Sequence, residues 1–410
     1  MCTDRFGARP VFLAGLMVFT VSSLAAGLSA TGAMLIGMRA AQGAGAALMG
    51  PSALAILMTA FSGSARGVAL GVWSGVGATA LAGGPLVGAA LTRGIGWQAI
   101  FLVNVPLGAL MLVVGLIGLP RAAASRRRHA RVDAAGMVFS AIGLAALVFG
   151  LTQAGTFGWT SPVLWTILAA VGLTGFVVVE RRARAPLLDP ALFRVPNFLG
   201  GNVVGLLNLA VMCSLFFFLA LYLQVAAGAS PVTAGIALLP LTLLGGVLAP
   251  LAGWLVPRVG ARLLIVSGMT LTAGGLVLLA GIDPAWGPWQ LLPGLLLAGT
   301  GIGLVSTPIT TAAMDEVPEE RAGMAGAAHN AFRMVGLSLG VAIMGAIVAT
   351  QWPGGLAQAN GDPSGFTTGI SIGFLVNAGL AVAAAGLAFA TIRTRAVEDA
   401  PRAEVGPIAS

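Results

Sequence analysis

Twelve apolar stretches of about 20 residues run through this chain, and arginine sits at every second junction between them. The stretches are 10–29, 33–58, 67–91, 98–119, 133–154, 162–179, 197–224, 231–256, 262–281, 288–312, 328–350 and 367–391. A helix of that length crosses a hydrocarbon core ~30 Å thick. Every basic residue is arginine, and all but Arg39, Arg93 and Arg333 fall at these junctions: Arg5 and Arg9, Arg66, the run Arg121 to Arg131, the run Arg181 to Arg194, Arg258 with Arg262, Arg321, and Arg393 to Arg402. The junctions near 30, 94, 158, 227, 285 and 358 carry only Arg93. Positive loops stay on the cytoplasmic side, so the alternation predicts orientation as well as span count, with both termini cytoplasmic. The fold expected is all-α, a polytopic membrane helix bundle of twelve transmembrane helices.

The charge content supports this and removes other classes. Only 8% of residues are charged, against roughly 25% in a soluble domain. The net charge of +8 invites a nucleic-acid reading, as does Arg126-Arg127-Arg128-His129-Ala130-Arg131. That run lies between two apolar stretches, where arginines orient helices against anionic lipid, so no nucleic-acid partner is expected. Trp97, Trp159, Trp165, Trp286, Trp289 and Trp352 fall near the expected outer interface, as an aromatic belt does. Cys2 and Cys213 are too few for a disulfide framework or zinc site. No catalytic residue and no metal site is expected, and the chain reads as a non-enzyme. The 60 glycines would burden soluble helices, but in a bilayer small residues let helices approach closely. Gly43-Ala44-Gly45 and Gly299-Thr300-Gly301 therefore read as packing faces.

Two landmarks repeat in register. Asp4-Arg5-Phe6-Gly7-Ala8-Arg9 returns 253 residues later as Pro257-Arg258-Val259-Gly260-Ala261-Arg262, each directly before an apolar stretch. Arg66-Gly67-Val68-Ala69-Leu70-Gly71 returns after 255 residues as Arg321-Ala322-Gly323-Met324-Ala325-Gly326. Repeated halves with binding at their interface are a transporter architecture. The expected division is a half-bundle over 1–119, an arginine-rich cytoplasmic loop with a central helix pair over 120–196, a six-helix half-bundle over 197–392 and a cytoplasmic tail over 393–410. Two stretches precede the Arg258 loop and none precedes Asp4. Equivalent halves thus predict two further helices, about 60 residues, ahead of the sequence. On that count the twelve spans are helices 3–14 of fourteen.

These residues resemble a known family. Asp4, Arg5, Gly7 and Arg9 are similar to the tail of motif A of the major facilitator superfamily, a gating loop. Ile36 to Ala47, with Arg39, Gln42 and Gly43, resembles motif B. Gly71, Gly84, Pro85 and Gly88 resemble the antiporter motif C, with Ala80 and Ala89 where that motif has glycine. Trp97, Phe101, Asn104, Pro106 and Gly108 are similar to the signature of the fourteen-helix drug:proton antiporters. Ala325 to Arg333, followed by Gly336 and Gly340, resembles that family's thirteenth helix. The resemblance implies two pseudo-symmetric halves, a proton-linked role around Arg39, and a monomer in the plasma (inner) membrane. Its partners would be protons, lipid and a small-molecule substrate. It implies no cofactor, the proton gradient supplying the energy.

Several candidates read two ways. Arg39 is either proton-linked or snorkels to the outer interface. Gly84-Pro85 with Gly88 is either a smooth face on which a helix slides, so that a bulky side chain at Gly84 fills a moving contact, or an ordinary bend. His329 reads as interfacial packing more readily than as a proton relay, and Arg333 as a structural residue just inside the cytoplasmic interface or as cavity lining. The substrate cavity is expected to draw on Asn202, Asn208, Phe217, Tyr222, Gln224 and Arg333. All thirteen acids map to loops, tails or span edges, whereas proton coupling normally needs an acid inside the membrane. The chain by itself is therefore expected not to drive coupled export. Three functions stand: proton-driven efflux of small, largely apolar or cationic compounds; a shortened, non-transporting or regulatory paralogue; and facilitated uptake of a polar solute.

Topology is the first test. Reporter tags inserted near Arg127 and at the C-terminal tail should read cytoplasmic, and a tag near Gly361 should read external. An external signal from the Arg127 loop would undo the span assignment.

Overall fold

A computed structural model describes residues 7–61, 63–119, 192–283, 286–318, 321–352 and 364–393, together with 170 and 174. Lipid offers the backbone no hydrogen-bond partner, which leaves helices and closed barrels as the spanning structures. The described residues are helical throughout, without a strand among them. The helices are α1 (Ala8–Gly27), α2 (Gly32–Ala60), α3 (Gly63–Gly94), α4 (Ala99–Leu102), α5 (Asn104–Gly118), α6 (Pro196–Val225), α7 (Pro231–Ala237), α8 (Leu239–Val259), α9 (Ala261–Leu279), α10 (Pro288–Met314), α11 (Ala322–Gln351) and α12 (Ser364–Thr391). They coincide with the expected stretches to within a few residues. Nine segments among the described residues are long and apolar enough to cross a membrane, and α3, with 32 residues, adds another helix of spanning length. The stretches 133–154 and 162–179 lie outside the described residues, 170 and 174 aside, as do Asp4 and Arg5.

Two expected spans are each broken into two helices, and proline accounts for both. The stretch 98–119 interrupts at Val103, because Pro106 has no N–H to donate to the Leu102 carbonyl. The stretch 231–256 interrupts at Leu238, two residues before Pro240, by the same mechanism.

The internal repeat has a backbone counterpart. Gly7 (φ 85°, ψ 151°) and Gly260 (φ 81°, ψ 148°) precede α1 and α9 in the same left-handed conformation, which side-chain-bearing residues rarely adopt. The following arginines do similar work. Arg9 donates from Nη2 to the Leu116 carbonyl at 2.5 Å, tying α1 to the end of α5. Arg262 lies over the Phe389 ring of α12 at 3.9 Å. Helix α1 packs on α2 and α5 as α9 packs on α10 and α12.

Glycines set how closely these pairs approach. A Cβ at Gly15 or at Gly45 would sit 2.8 Å from the other's carbonyl oxygen, where α1 crosses α2. Gly268 and Gly301 repeat that contact between α9 and α10. Gly336 and Gly340 of α11 lie against the backbone of Leu206 and Ala210 of α6, one helical turn apart on each side. A few buried polar bonds supplement the seams: Asn377 Nδ2 of α12 donates to Ser214 Oγ of α6 at 2.8 Å, and Thr307 Oγ1 of α10 to the Ala249 carbonyl of α8 at 2.8 Å.

Two contacts between the halves stand out. Helix α3 belongs to the first half by sequence, yet its largest contact is with α8 of the second. A Cβ at Gly67 would lie 2.6 Å from the Gly253 carbonyl, one at Gly71 2.7 Å from Pro250 Cα, and one at Gly75 2.9 Å from the Gly246 carbonyl. Leu54, Met58 and Leu70 of the first half also form a buried cluster with Phe198, Met314 and Ala325 of the second. Both contacts sit toward the end of the bundle that carries Arg66, Arg258 and Arg321.

If backbone approach sets stability, Gly268→Val should lower the melting temperature of the purified protein by the equivalent of about 1–3 kcal/mol, the usual effect of overpacking. Gly386→Val, at a glycine whose added Cβ would meet nothing within 4 Å, should leave it nearly unchanged. Equal shifts from the two variants would argue against glycine seams.

Candidate functional site

The first-half candidates converge on one serine. Arg39, in the second turn of α2, donates from Nη1 to Gln42 Oε1 at 2.7 Å. Gln42 is buried and passes its amide on to Ser23 Oγ at 2.5 Å. Asn104 Nδ2 reaches the same Ser23 Oγ at 3.2 Å and the Ile100 carbonyl at 3.3 Å, beside the break before Pro106. The Arg39 guanidinium stands 5.8 Å from the Phe101 ring centroid, and Trp97 meets Phe101 edge-on. Gly108, one turn further along α5, packs directly against the Thr20 hydroxyl of α1. Asn104, Pro106 and Gly108 thus have separable tasks: the proline breaks the helix, the asparagine bridges the break and holds Ser23, and the glycine lets α5 close on α1.

Motif C divides. Gly71 is in tight contact with α8, whereas an added Cβ at Gly84 or Gly88 would meet nothing within 4 Å. The α3 backbone stays helical through Pro85. Gly84 lines an open apolar groove of about 590 Å³ with Val72, Ala80, Val87, Gly246 and Pro250. The close contact between halves is therefore made by Gly67, Gly71 and Gly75, and the expectation that Gly84 is itself the tight contact does not hold in this conformation. Gly43, likewise, faces open space.

The second-half candidates separate into those that line a cavity and those that do not. A cavity of about 180 Å³ lies where α6, α10 and α11 face α3, with Asn208, Arg333, His329, Thr310, Ser306 and Gly77 among its walls. Arg333 and Asn208 belong to it, as expected. Arg333 lies eleven residues into α11, about 16 Å along the axis at 1.5 Å per residue. Its guanidinium stands 5.7 Å from the Trp73 ring centroid on α3, so the cation bridges the two halves.

His329 is a buried packing residue. Its side chain is fully buried, with Nδ1 3.1 Å from Asn202 Oδ1 and Nε2 3.3 Å from Thr310 Oγ1. Asn202 donates its amide to the Phe198 carbonyl at 2.7 Å. This leaves Oδ1 as an acceptor for a protonated Nδ1 and lets Nε2 accept from Thr310. Asn202 is thus committed to His329, just behind the cavity. Phe217 is exposed, and Gln224 bonds back to the Ala220 carbonyl of its own helix. Tyr222 is buried but ties α6 to the following loop, its hydroxyl donating to the Asp283 carbonyl at 2.6 Å. These three residues do not line the cavity. Among the described residues, no three His, Cys, Asp or Glu side chains come together to hold a metal ion.

Comparison with known proteins fits this arrangement. The family described as Major Facilitator Superfamily matches residues 1–341. The chain belongs to the Major Facilitator Superfamily. It is 36% identical over 358 residues to the multidrug resistance protein Stp of Mycobacterium tuberculosis (strain CDC 1551 / Oshkosh), covering 84% of this chain and 64% of that protein. It is 37% identical over 363 residues to the tetracenomycin C resistance and export protein of Streptomyces glaucescens, covering 87% and 67% respectively. The chain thus spans about two thirds of the length of these relatives. The crystal structure of the human organic anion transporter MFSD10 (TETRAN) shares the fold, with a TM-score of 0.64 at 16% identity, over 94% of this chain and 78% of that one. Within this superfamily the chain is a multi-pass membrane protein, and the superfamily consists of carriers rather than enzymes.

Sequence reading missed Ser23, Trp73 and Thr310. Each sits in an apolar helix without a motif around it, and only tertiary contact reveals its partners. The Ser23 cluster is testable by a double-mutant cycle. Ser23→Ala leaves the Gln42 and Asn104 amides without their shared acceptor and should cost about 1–3 kcal/mol of unfolding free energy. Gln42→Leu should then cost less in the Ser23→Ala background than alone. Additive effects would show that the three side chains do not act together.

Proposed function

We propose that this chain works as a secondary transporter that exports small, largely apolar compounds at the expense of the proton gradient. The observation that carries the reading is the cavity between α3 and the second half, with Arg333 and Trp73 facing each other across the boundary. A polar pocket at the boundary of repeated halves is where carriers of this architecture bind and alternate access. The glycine seam between α3 and α8 supports movement, since it has few interlocking side chains to disengage. The names of the Stp and tetracenomycin relatives, resistance and export proteins, support efflux over uptake.

Finer points belong to the same proposal. We read the twelve spans as helices 3–14 of a fourteen-helix layout, supported by the pairing of α1 with α9 through Gly7 and Gly260. We place the protein in the plasma membrane with both termini of this chain cytoplasmic, as the arginine alternation implies, and we take it to be a monomer. Asp283, Asp315 and Glu316, the described acids, all lie outside the spanning helices, and we look for the coupling role in the Arg39–Gln42–Ser23 cluster and the His329 pocket, two of the polar groups within them.

The test uses 1-N-phenylnaphthylamine, an apolar fluorescent probe. Energised cells producing the protein should accumulate less of it than vector controls, and a protonophore should erase the difference. Equal accumulation at matched membrane abundance would refute export, and a difference that survives the protonophore would refute proton coupling.

A further inference from the structure

The cavity has a chemical preference that the export reading leaves unstated. Its polar groups include a cation and an acceptor to which no described residue hydrogen-bonds. A charge inside a membrane helix costs at least ~2.5 kcal/mol on insertion scales, so such residues normally pair with one another or line a water-filled path. Arg333 meets the second description. No described spanning helix contains a carboxylate, and no hydrogen bond from its guanidinium to a described residue accompanies the ring contact. A ring contact at that distance does not use up the five N–H donors of the group.

Asn208 supplies the second observation. It is only 8% exposed, its Oδ1 has no partner, and it lines the same cavity. A buried amide oxygen in that state costs about 1–3 kcal/mol unless something donates to it. His329 does not answer for either group, because Asn202 and Thr310 occupy both of its ring nitrogens. Nor does a lone small anion, which would satisfy Arg333 and leave Asn208 Oδ1 unpaired. The hydroxyls of Ser306 and Thr310 are engaged with the Ile302 carbonyl and with His329, and Leu209, Met212, Ile309 and Leu337 supply apolar wall. The space of about 180 Å³ far exceeds what one water molecule needs, about 10–15 Å³.

We propose that the cavity binds a hydroxyl-bearing organic acid, with Arg333 holding its carboxylate or phenolate and Asn208 Oδ1 accepting from its hydroxyl. The proposal rests on the reading of this cavity as the transport site and names the substrate class for it. The apolar frame of such a compound fills the space between Leu209, Met212, Ile309 and Leu337. A cation is disfavoured, since it meets Arg333 with no described carboxylate to offset the repulsion.

Three related fluorescent probes separate the terms: 6-hydroxy-2-naphthoate, its methyl ester, which lacks the charge, and 2-naphthoate, which lacks the hydroxyl. Binding to the purified full chain in nanodiscs is followed by fluorescence. The hydroxy acid should bind more tightly than either analogue. Arg333→Gln should weaken it about tenfold or more, leave the ester unaffected and so remove the preference for acid over ester. Arg333→Lys, which keeps the charge, should retain most of that preference and also serves as the folding control. Asn208→Leu should erase the advantage of the hydroxy acid over 2-naphthoate alone. The proposal is overturned if the folded wild type does not bind 6-hydroxy-2-naphthoate, if the ester binds as well as the acid, or if Arg333→Gln changes nothing. Failure of the export reading looks different. There, cells would not expel phenylnaphthylamine, yet the acid would still bind through Arg333.

Discussion

Lipid tails are as apolar as leucine, so burying a leucine between two helices in a membrane gains little, and everything else in this bundle follows from that constraint. What remains is close approach, and close approach needs residues without side chains. The helices accordingly touch backbone to backbone at Gly15 with Gly45, Gly268 with Gly301, Gly67 with Gly253, and Gly336 and Gly340 with Leu206 and Ala210. These contacts fix which helices are neighbours. They also fix what faces inward: with α11 held against α6 at Gly336 and Gly340, Arg333 and Asn208 come to the same cavity.

The seams differ in what reinforces them. Within the second half, buried polar bonds and a large apolar cluster accompany the glycines. Between the halves, an open apolar groove runs beside the seam of α3 on α8, from Val72 and Gly75 to Gly84 and Val87. Helix α3 meets α7 as well as α8, so the boundary is joined along α3 with this groove at its side. A boundary of that kind is suited to rocking, because, Arg333 against Trp73 aside, separating it exposes glycine and small apolar surface.

Spans and repeat were legible in the sequence because length, apolarity and arginine placement act locally. The match of Gly7 with Gly260 was visible as text before it was visible as a shared φ. The site was legible only where a polar residue stood out in an apolar helix, as Asn208 and Arg333 do. Tyr222 looked the same on the page and proved to be a strut for the loop at Asp283, since a hydroxyl satisfied by a carbonyl elsewhere cannot be told from a free one without coordinates. Ser23 was invisible for the opposite reason: serines are common in membrane helices, and the two amides that converge on it come from 19 and 81 residues away. The helix breaks at Val103 and Leu238 were foreshadowed by Pro106 and Pro240, but proline also sits within unbroken helices here, at Pro51 and Pro250.

The depth of Arg333 carries an electrical consequence. A fixed charge about 16 Å along a spanning helix lies within the membrane's electric field, where moving one elementary charge through 100 mV is worth about 2.3 kcal/mol. No described carboxylate shares the membrane with it to cancel that charge. An empty binding site would then feel the resting potential whenever its access switched sides, while a site neutralised by an anionic guest would not. Voltage, as much as any chemical gradient, would bias which way the unoccupied carrier faces.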